Sequence, residues 1–312
     1  MKEELFISGR NLPKIDPHLA VWHWPIPVYL FLGGMAAGII FFASYFMITG
    51  KDKKMPATVK YAMAIVPFAI VLGLLALFYD LTHKLYFWRL YTTIRFSSPM
   101  SWGAWILMLI TPLSFAWLAT YMEEIFPKWD WKFDFVKTII KFLKDKRKLM
   151  AYILLPSSII LGIYTGILLS AFNARPLWNN AILGPLFLTS GMSTGAATII
   201  LLAKGKERHL FSKIDMVLIV IELFLIVHMI MGLYAGPQVQ LDAIHLLVGG
   251  EFTVMFFVFV VILGLIVPGI MEALELYGFK VPVAVPAVLI LIGGLVFRFV
   301  MVEAGQMTRY LY

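Results

Sequence analysis

Tyr79–Trp105 reads YDLTHKLYFWRLYTTIRFSSPMSWGAW, and it is the one long stretch of the chain in which charge, aromatic rings and apolar sequence meet. An apolar run beginning near Val59 ends here in Asp80 and His83. Lys84, Arg89 and Arg95 follow among tyrosine, phenylalanine and tryptophan, and Ser98-Pro99 opens a second apolar run. Aromatic and basic side chains gather where hydrocarbon gives way to water, because each has an apolar body and a polar tip. The stretch therefore reads as a connection at a membrane edge with a spanning helix on either side.

The rest of the chain repeats that pattern. Hydrophobic residues make up 61% of the 312 and charged residues 14%, and the mean hydropathy is +0.87, which marks an integral membrane protein. A span takes roughly 20 mostly apolar residues. Eight segments qualify, at about 26–49, 59–83, 100–121, 149–172, 181–203, 214–235, 246–274 and 281–303. No alternating strand pattern occurs in them, and an open sheet edge cannot be satisfied in lipid, so each is expected to be a helix. The first run is long enough to span and no small-residue cleavage site follows it, so it is read as part of the mature chain and not as a removable signal peptide.

The net charge of +8 lies in short loops beside apolar runs, which points to topology and away from a nucleic-acid partner. Counting Lys60, at its edge, with loop one, loops one, three, five and seven carry 17 Lys and Arg, against 8 for the termini and the even loops. Basic loops stay on the cytoplasmic side, so both termini and the Tyr79–Trp105 connection are expected on the outer, periplasmic side of a bacterial or archaeal cytoplasmic (inner) membrane. The chain has no cysteine, so it holds no disulfide and no iron–sulfur cluster of its own.

An internal repeat is visible: LFLGGMAAGIIFF begins at Leu30 and LFLTSGMSTGAATII at Leu186, each followed by a basic loop. Asp80-x-x-His83 has a fainter copy in Asp242-x-x-His245. Four spans per half keep both copies in one orientation, which predicts two four-helix bundles related by an axis along the membrane normal. The divisions are an outer segment 1–24, a first bundle 25–172 and a second bundle 173–312. Gly34-x-x-x-Gly38, Gly162-x-x-x-Gly166 and Gly191-x-x-x-Gly195 suit close helix packing and need no ligand. Loop three, with Lys128 to Lys148 and the aromatics Phe126, Trp129, Trp131 and Phe133, reads as an amphipathic segment on the cytoplasmic leaflet.

Titratable residues inside spans are few, and each is a candidate for function. Asp80 and His83, three apart, would share a helix face at the outer end of helix two. They are read as a proton-relay pair or a ligand's hydrogen-bonding partner, or as an interfacial pair capping the loop. Glu222, His228, Glu251 and Arg298 suggest a partial proton route in the second half, or structural pairs. No two histidines sit at matched depth within the membrane, so no haem is expected, and no metal site is read. At the outer end of the first half, His23, Trp22, Trp24 and Tyr29 on helix one, Asp80 and His83 on helix two, and Tyr164 and Asn173 from helix four converge on a site for an apolar ligand such as a quinone. Singly, the aromatic residues suit the interfacial belt.

These residues carry a resemblance over essentially the whole chain. WHW with YLFLGGMAAG at Trp22 to Gly38, Asp80 with Phe87-Trp88 and SPMSWGAW at Ser98 to Trp105, TGILLSAFNARPLWN at Thr165 to Asn179, and GGLVFRFVMVEAGQ at Gly293 to Gln306 are similar to the membrane subunit of polysulfide reductase and its NrfD-like relatives, a family of quinone-interacting subunits. The resemblance implies an eight-helix anchor without a prosthetic group of its own, binding menaquinone or ubiquinone near the outer face. Its implied partners are a ferredoxin-like iron–sulfur subunit and a molybdopterin catalytic subunit, docked through Lys84, Arg89, Arg95, Arg175 and Trp178. It places quinone ligands at the start of helix one and at Tyr164. Where relatives have an asparagine and a histidine after the WHW-like sequence, this chain has Pro25-Ile26-Pro27-Val28-Tyr29, so Tyr29 or His23 stands in. A secondary transporter built from two repeats and a purely structural anchor are the rival readings.

Overall fold

A computed structural model of the chain describes residues 22–129 and 131–309, so most of the expected 1–24 segment lies outside the described residues. Eight helices among them are long and apolar enough to cross a membrane: α1 (Pro25–Ile48), α2 (Ala57–Asp80), α3 (Pro99–Ile125), α4 (Arg147–Ser170), α5 (Leu183–Leu202), α6 (Gly205–Tyr234), α7 (Val254–Leu276) and α8 (Ala284–Met307). No strand occurs among the described residues. Eight crossings bring Trp22 and Arg309 to one face, here the terminal face; the opposite, basic face carries the Lys- and Arg-rich connections.

Two helix starts depart from expectation by about two turns. α6 begins at Gly205 and not near 214, because the polar sequence KERHLFSKID forms helix as readily as apolar sequence does and its lysines and arginine reach water. α7 begins at Val254 and not near 246, because Gly249 takes φ +97° and breaks the path. Asp242 and His245 therefore lie on a separate short helix, Gln238–His245, and Glu251 lies in an exposed turn instead of in the outer third of helix seven.

α1 and α5 are the most buried spans, with 78% and 72% of their apolar windows covered. α1 packs on α2, α4, α5 and α8, and α5 packs on α1, α4, α6 and α8. Where α1 and α5 cross, the corresponding glycines of the repeated motif meet each other. A Cβ on Gly191 would lie 2.8 Å from the Gly34 carbonyl oxygen, and one on Gly195 would lie 2.8 Å from the Gly38 carbonyl carbon. Only glycine permits that approach. Gly38→Leu is expected to lower stability by about 1–3 kcal/mol, seen as a lower thermal midpoint in detergent. Gly33→Ala, whose Cβ meets nothing within 4 Å, is the control and stays near wild type; equal midpoints for the two variants would overturn this account of the crossing.

The basic face is tied by charge-assisted contacts. Glu207, in the first turn of α6, accepts from the Ala57 and Thr58 N–H groups at 3.1 and 2.8 Å and from the Thr58 hydroxyl at 2.8 Å, capping α2 with a carboxylate from the other half of the chain. Lys60 and Arg147 converge on Glu124 at 2.5 and 3.2 Å, and Lys144 reaches Glu123 at 2.5 Å. Loop three contains the helix Asp134–Asp145, which exposes Phe135, Ile139 and Phe142 and buries Ile140.

Candidate functional site

At the terminal face α2 stops at Asp80, since Leu81 turns to an extended conformation with ψ 127°. His83 is thus off the helix, and the expected shared face of Asp80 and His83 does not form. Asp80 meets a different histidine. Its Oδ1 lies 3.0 Å from Nδ1 of His23, just before α1. The Asp80 side chain is only 9% exposed and His23 is 65% exposed, so the pair joins a sheltered carboxylate to the water at the terminal face.

Two turns deeper lie three tyrosines. Tyr29 of α1 and Tyr164 of α4 are buried, 4% and 7% exposed, with their hydroxyls as neighbours, and Tyr91 from the Tyr79–Trp105 connection faces Tyr29. Tyr29 and Tyr164 each lie against a glycine. A Cβ on Gly73 of α2 would make ordinary contact with the Tyr29 ring, 3.5 Å from Cδ2, whereas any Cβ on Gly103 of α3 would overlap the Tyr164 phenol. Half-burial raises the Tyr91 phenol above its ordinary value, so it stays a neutral donor at neutral pH.

Tyr91 also lines a cleft of about 420 Å³ whose other walls are apolar, chiefly Leu74, Phe78, Leu81, Phe87 and Leu90. Phe78 and Leu75 are exposed on the outside of α2, so the cleft opens toward lipid. Leu81, Phe87 and Leu90 divide it from a second cleft of about 460 Å³ that carries His83, Arg89, Arg95 and Thr93. An apolar cleft and a basic one thus share a wall at the membrane edge.

The basic side chains of the connection are held by aromatic faces: Lys84 lies over Tyr79 at 4.9 Å and Arg89 over Tyr86 at 4.7 Å. Arg175 and Trp178 are placed differently from that surface. Trp178 is buried and donates its indole N–H to the Met301 carbonyl at 2.6 Å, and Arg175 donates to the Gln306 and Thr308 carbonyls at 2.6 and 2.7 Å. Burial draws the Arg175 guanidinium below its ordinary value. Gln306 in turn brackets Trp22, accepting from its N–H and donating to its carbonyl. Arg175 and Trp178 thus tie the turn after α4 to the end of α8. Asn173 is exposed in the turn after α4.

In the second half Arg298 and Glu222 come together, with the Ser190 hydroxyl between them. His228 does not join them: it is exposed on the outside of α6 and bonds back to the Phe224 carbonyl at 2.8 Å. Reading the sequence missed Tyr91, which sits in a loop, and Asp215 and Glu272, which hydropathy put at helix ends. The signal that would have found Asp215 is its spacing, seven residues before Glu222 on one helical face.

Residues 14–309 match the family model described as "Polysulphide reductase, NrfD". The sequence is 32% identical to protein NrfD of Escherichia coli K12 over 307 residues, covering 92% of this protein and 96% of that one. It is 31% identical to the C subunit of polysulfide reductase from Wolinella succinogenes over 302 residues, covering 92% and 94%, and 30% identical to the NrfD homolog of Haemophilus influenzae over 314 residues, covering 95% and 98%. Eight apolar helices and a match over nearly the whole length lead to one conclusion: this multi-pass membrane protein belongs to the NrfD, or polysulphide reductase, family.

Proposed function

We propose that the protein is the quinone-binding membrane subunit of a respiratory oxidoreductase complex, working with a ferredoxin-like iron–sulfur subunit and a molybdopterin catalytic subunit. The observation that carries this reading is the set of buried phenols beside an apolar cleft open to lipid. Those residues fit a quinone head and tail: the cleft suits an isoprenoid tail, and neutral hydroxyls donate to carbonyl oxygens. Menaquinone and ubiquinone suit it equally.

Gly73, which faces Tyr29, and Asp80, which faces His23, lie on one side of α2 about 10 Å apart. An interval of that size would leave room for a quinone ring between the two pairs. Tyr29 and Tyr164 would hold one carbonyl oxygen of the quinone and the His23–Asp80 pair the other. When bound, a quinone supplies two-electron, two-proton redox chemistry. Asp80 accepts the His23 Nδ1–H, which leaves Nε2 to take or give a proton at the ligand, and the exposed imidazole exchanges that proton with water. His83 supplies a second exchange group at the mouth of the basic cleft.

The terminal face is read as periplasmic, with Lys84, Arg89 and Arg95 as the dock for the iron–sulfur subunit and Arg175 and Trp178 supporting it from beneath. The relative named as a subunit of polysulfide reductase supports the multi-subunit reading. We read the protein as two four-helix bundles, 25–172 and 173–312, with the ligand in the first; the matched surroundings of α1 and α5 support this division.

Tyr164→Phe tests the pocket. It removes one buried donor, about 1 kcal/mol or more, and is expected to raise KM for quinone roughly tenfold in the assembled complex with little change in kcat. Tyr45→Phe, exposed on the far part of α1, is the control. An unchanged KM in Tyr164→Phe would overturn the proposed pocket.

A further inference from the structure

α5, α6, α7 and α8 enclose a second set of polar side chains that the quinone reading does not use. Asp215 of α6 and Glu272 of α7 are 0% and 1% exposed and stand beside each other. Both oxygens of both carboxyls lack a hydrogen-bond donor. Two carboxylates in contact, with no cation beside them and no hydrogen bond formed to either in an interior of low dielectric, cannot both be charged, so a proton joins them.

The pair lies in a line of polar groups. Toward the basic face, Glu275 of α7 is three residues from Glu272 and lies 3.9 Å from Arg208 of α6; both are partly exposed. Toward the membrane centre, the Ser193 hydroxyl of α5 faces Asp215 and is itself without a partner. Two turns along α6 from Asp215 is Glu222, faced by Ser190 of α5 and by Arg298 of α8. A cavity of about 10 Å³ lined by Ser190, Ser193, Thr194 and Glu222 has room for a single water. Arg298, fully buried, donates to the Ser190 Oγ at 2.5 Å and to the Phe187 carbonyl at 3.3 Å, which closes the line. Gly34 of α1 lies against the guanidinium.

We infer that this half of the protein holds a proton-access line from the basic face to the membrane centre, with the Asp215–Glu272 pair as its loading site and Glu222 beside Arg298 as its inner terminus. The pair, holding one shared proton, takes a second from water at the Arg208–Glu275 mouth and becomes neutral. It passes one proton through the Ser193 hydroxyl and one water to the Glu222 carboxylate and returns to its singly protonated state. Arg298 keeps its charge throughout and offsets that of Glu222 whenever the carboxyl is empty. The line goes beyond the quinone pocket and does not depend on it.

The test uses the full-length protein in liposomes, with neither quinone nor partner subunits, so its failure leaves the pocket reading untouched. Dicyclohexylcarbodiimide, an apolar reagent, attacks protonated carboxyls, and peptide mass spectrometry locates the adduct. Asp215 or Glu272 is expected to be labelled. Labelling should fall by up to about tenfold per pH unit as the basic-face solution is made alkaline, and should ignore the pH at the terminal face. Glu272→Gln gives Asp215 an amide donor in place of the shared proton, and its labelling is expected to fall about tenfold. Ser193→Ala should leave the pair labelled while slowing deuterium exchange at the Glu222 carboxyl, followed as the infrared C=O band that Glu222→Gln removes. Control of labelling from the terminal face, protection by sodium ions at fixed pH, absence of label on the folded wild type, or unchanged Glu222 exchange in Ser193→Ala would overturn the line.

Discussion

Arg298→Met is expected to lose about 3–5 kcal/mol of stability, and Arg298→Met combined with Glu222→Gln to recover most of it. The guanidinium is fully buried between the Phe187 and Phe297 rings, 4.8 and 5.1 Å from their centroids, and donates to Ser190 and the Phe187 carbonyl. Methionine fills a similar volume, so the packing change alone costs under about 1.5 kcal/mol. The larger part comes from leaving Glu222 without its cation and two acceptors without a donor. Thermal or denaturant unfolding of the two single variants and the double variant in detergent closes the cycle. A double variant no more stable than Arg298→Met would show that Glu222 and Arg298 do not act as a pair.

The second large effect is on turnover. Asp80→Asn is expected to lower kcat for quinone about 100-fold in the assembled complex, with KM changed by no more than a few-fold, because proton exchange by a positioned group contributes about 10²–10⁴-fold. Asparagine still accepts the His23 Nδ1–H but places no negative charge beside the imidazole. The effect should be the converse of Tyr164→Phe, which touches binding and leaves the proton step alone. Asp242→Asn is the control. Asp242 carries the fainter copy of the Asp-x-x-His motif, but it lies on the outlying helix Gln238–His245 and accepts from Gln238 at 2.8 Å, so its removal should leave turnover unchanged. A fully active Asp80→Asn enzyme, or an equal loss in Asp242→Asn, would rule out the His23–Asp80 pair as the proton partner.

Particular residues show how far the site was legible. Tyr164 stood out because it precedes the LLSAFNARPLW block, and Tyr29 because it falls where a ligand is expected at the start of α1; the two sit side by side in the fold. The partner of Asp80 did not stand out. Spacing pointed to His83, three residues on, whereas a single extended residue at Leu81 ends the helix and leaves the carboxylate to a histidine 57 positions earlier. Glu222 and Arg298 were recognisable as intramembrane charges, but His228, on the same helix as Glu222, is turned to its exposed face. Asp215 and Glu272 look interfacial in a hydropathy profile, because the turns beyond them are charged. Only the extension of α6 back to Gly205 puts Asp215 well inside the helix.

The membrane class, the number of spans, the lack of any cysteine-held cofactor and the family are all legible in the linear chain, because apolar length and local motifs add up along one dimension and need no partner. Which polar groups meet emerges only on folding: His23 with Asp80, Tyr29 with Tyr164 and Tyr91, and Asp215 with Glu272. Those meetings depend on how each helix is rotated, where it stops and how closely glycines such as Gly34 and Gly191 let the helices approach. In a bilayer, where apolar side chains on every face are equally at home, hydropathy carries little record of that rotation.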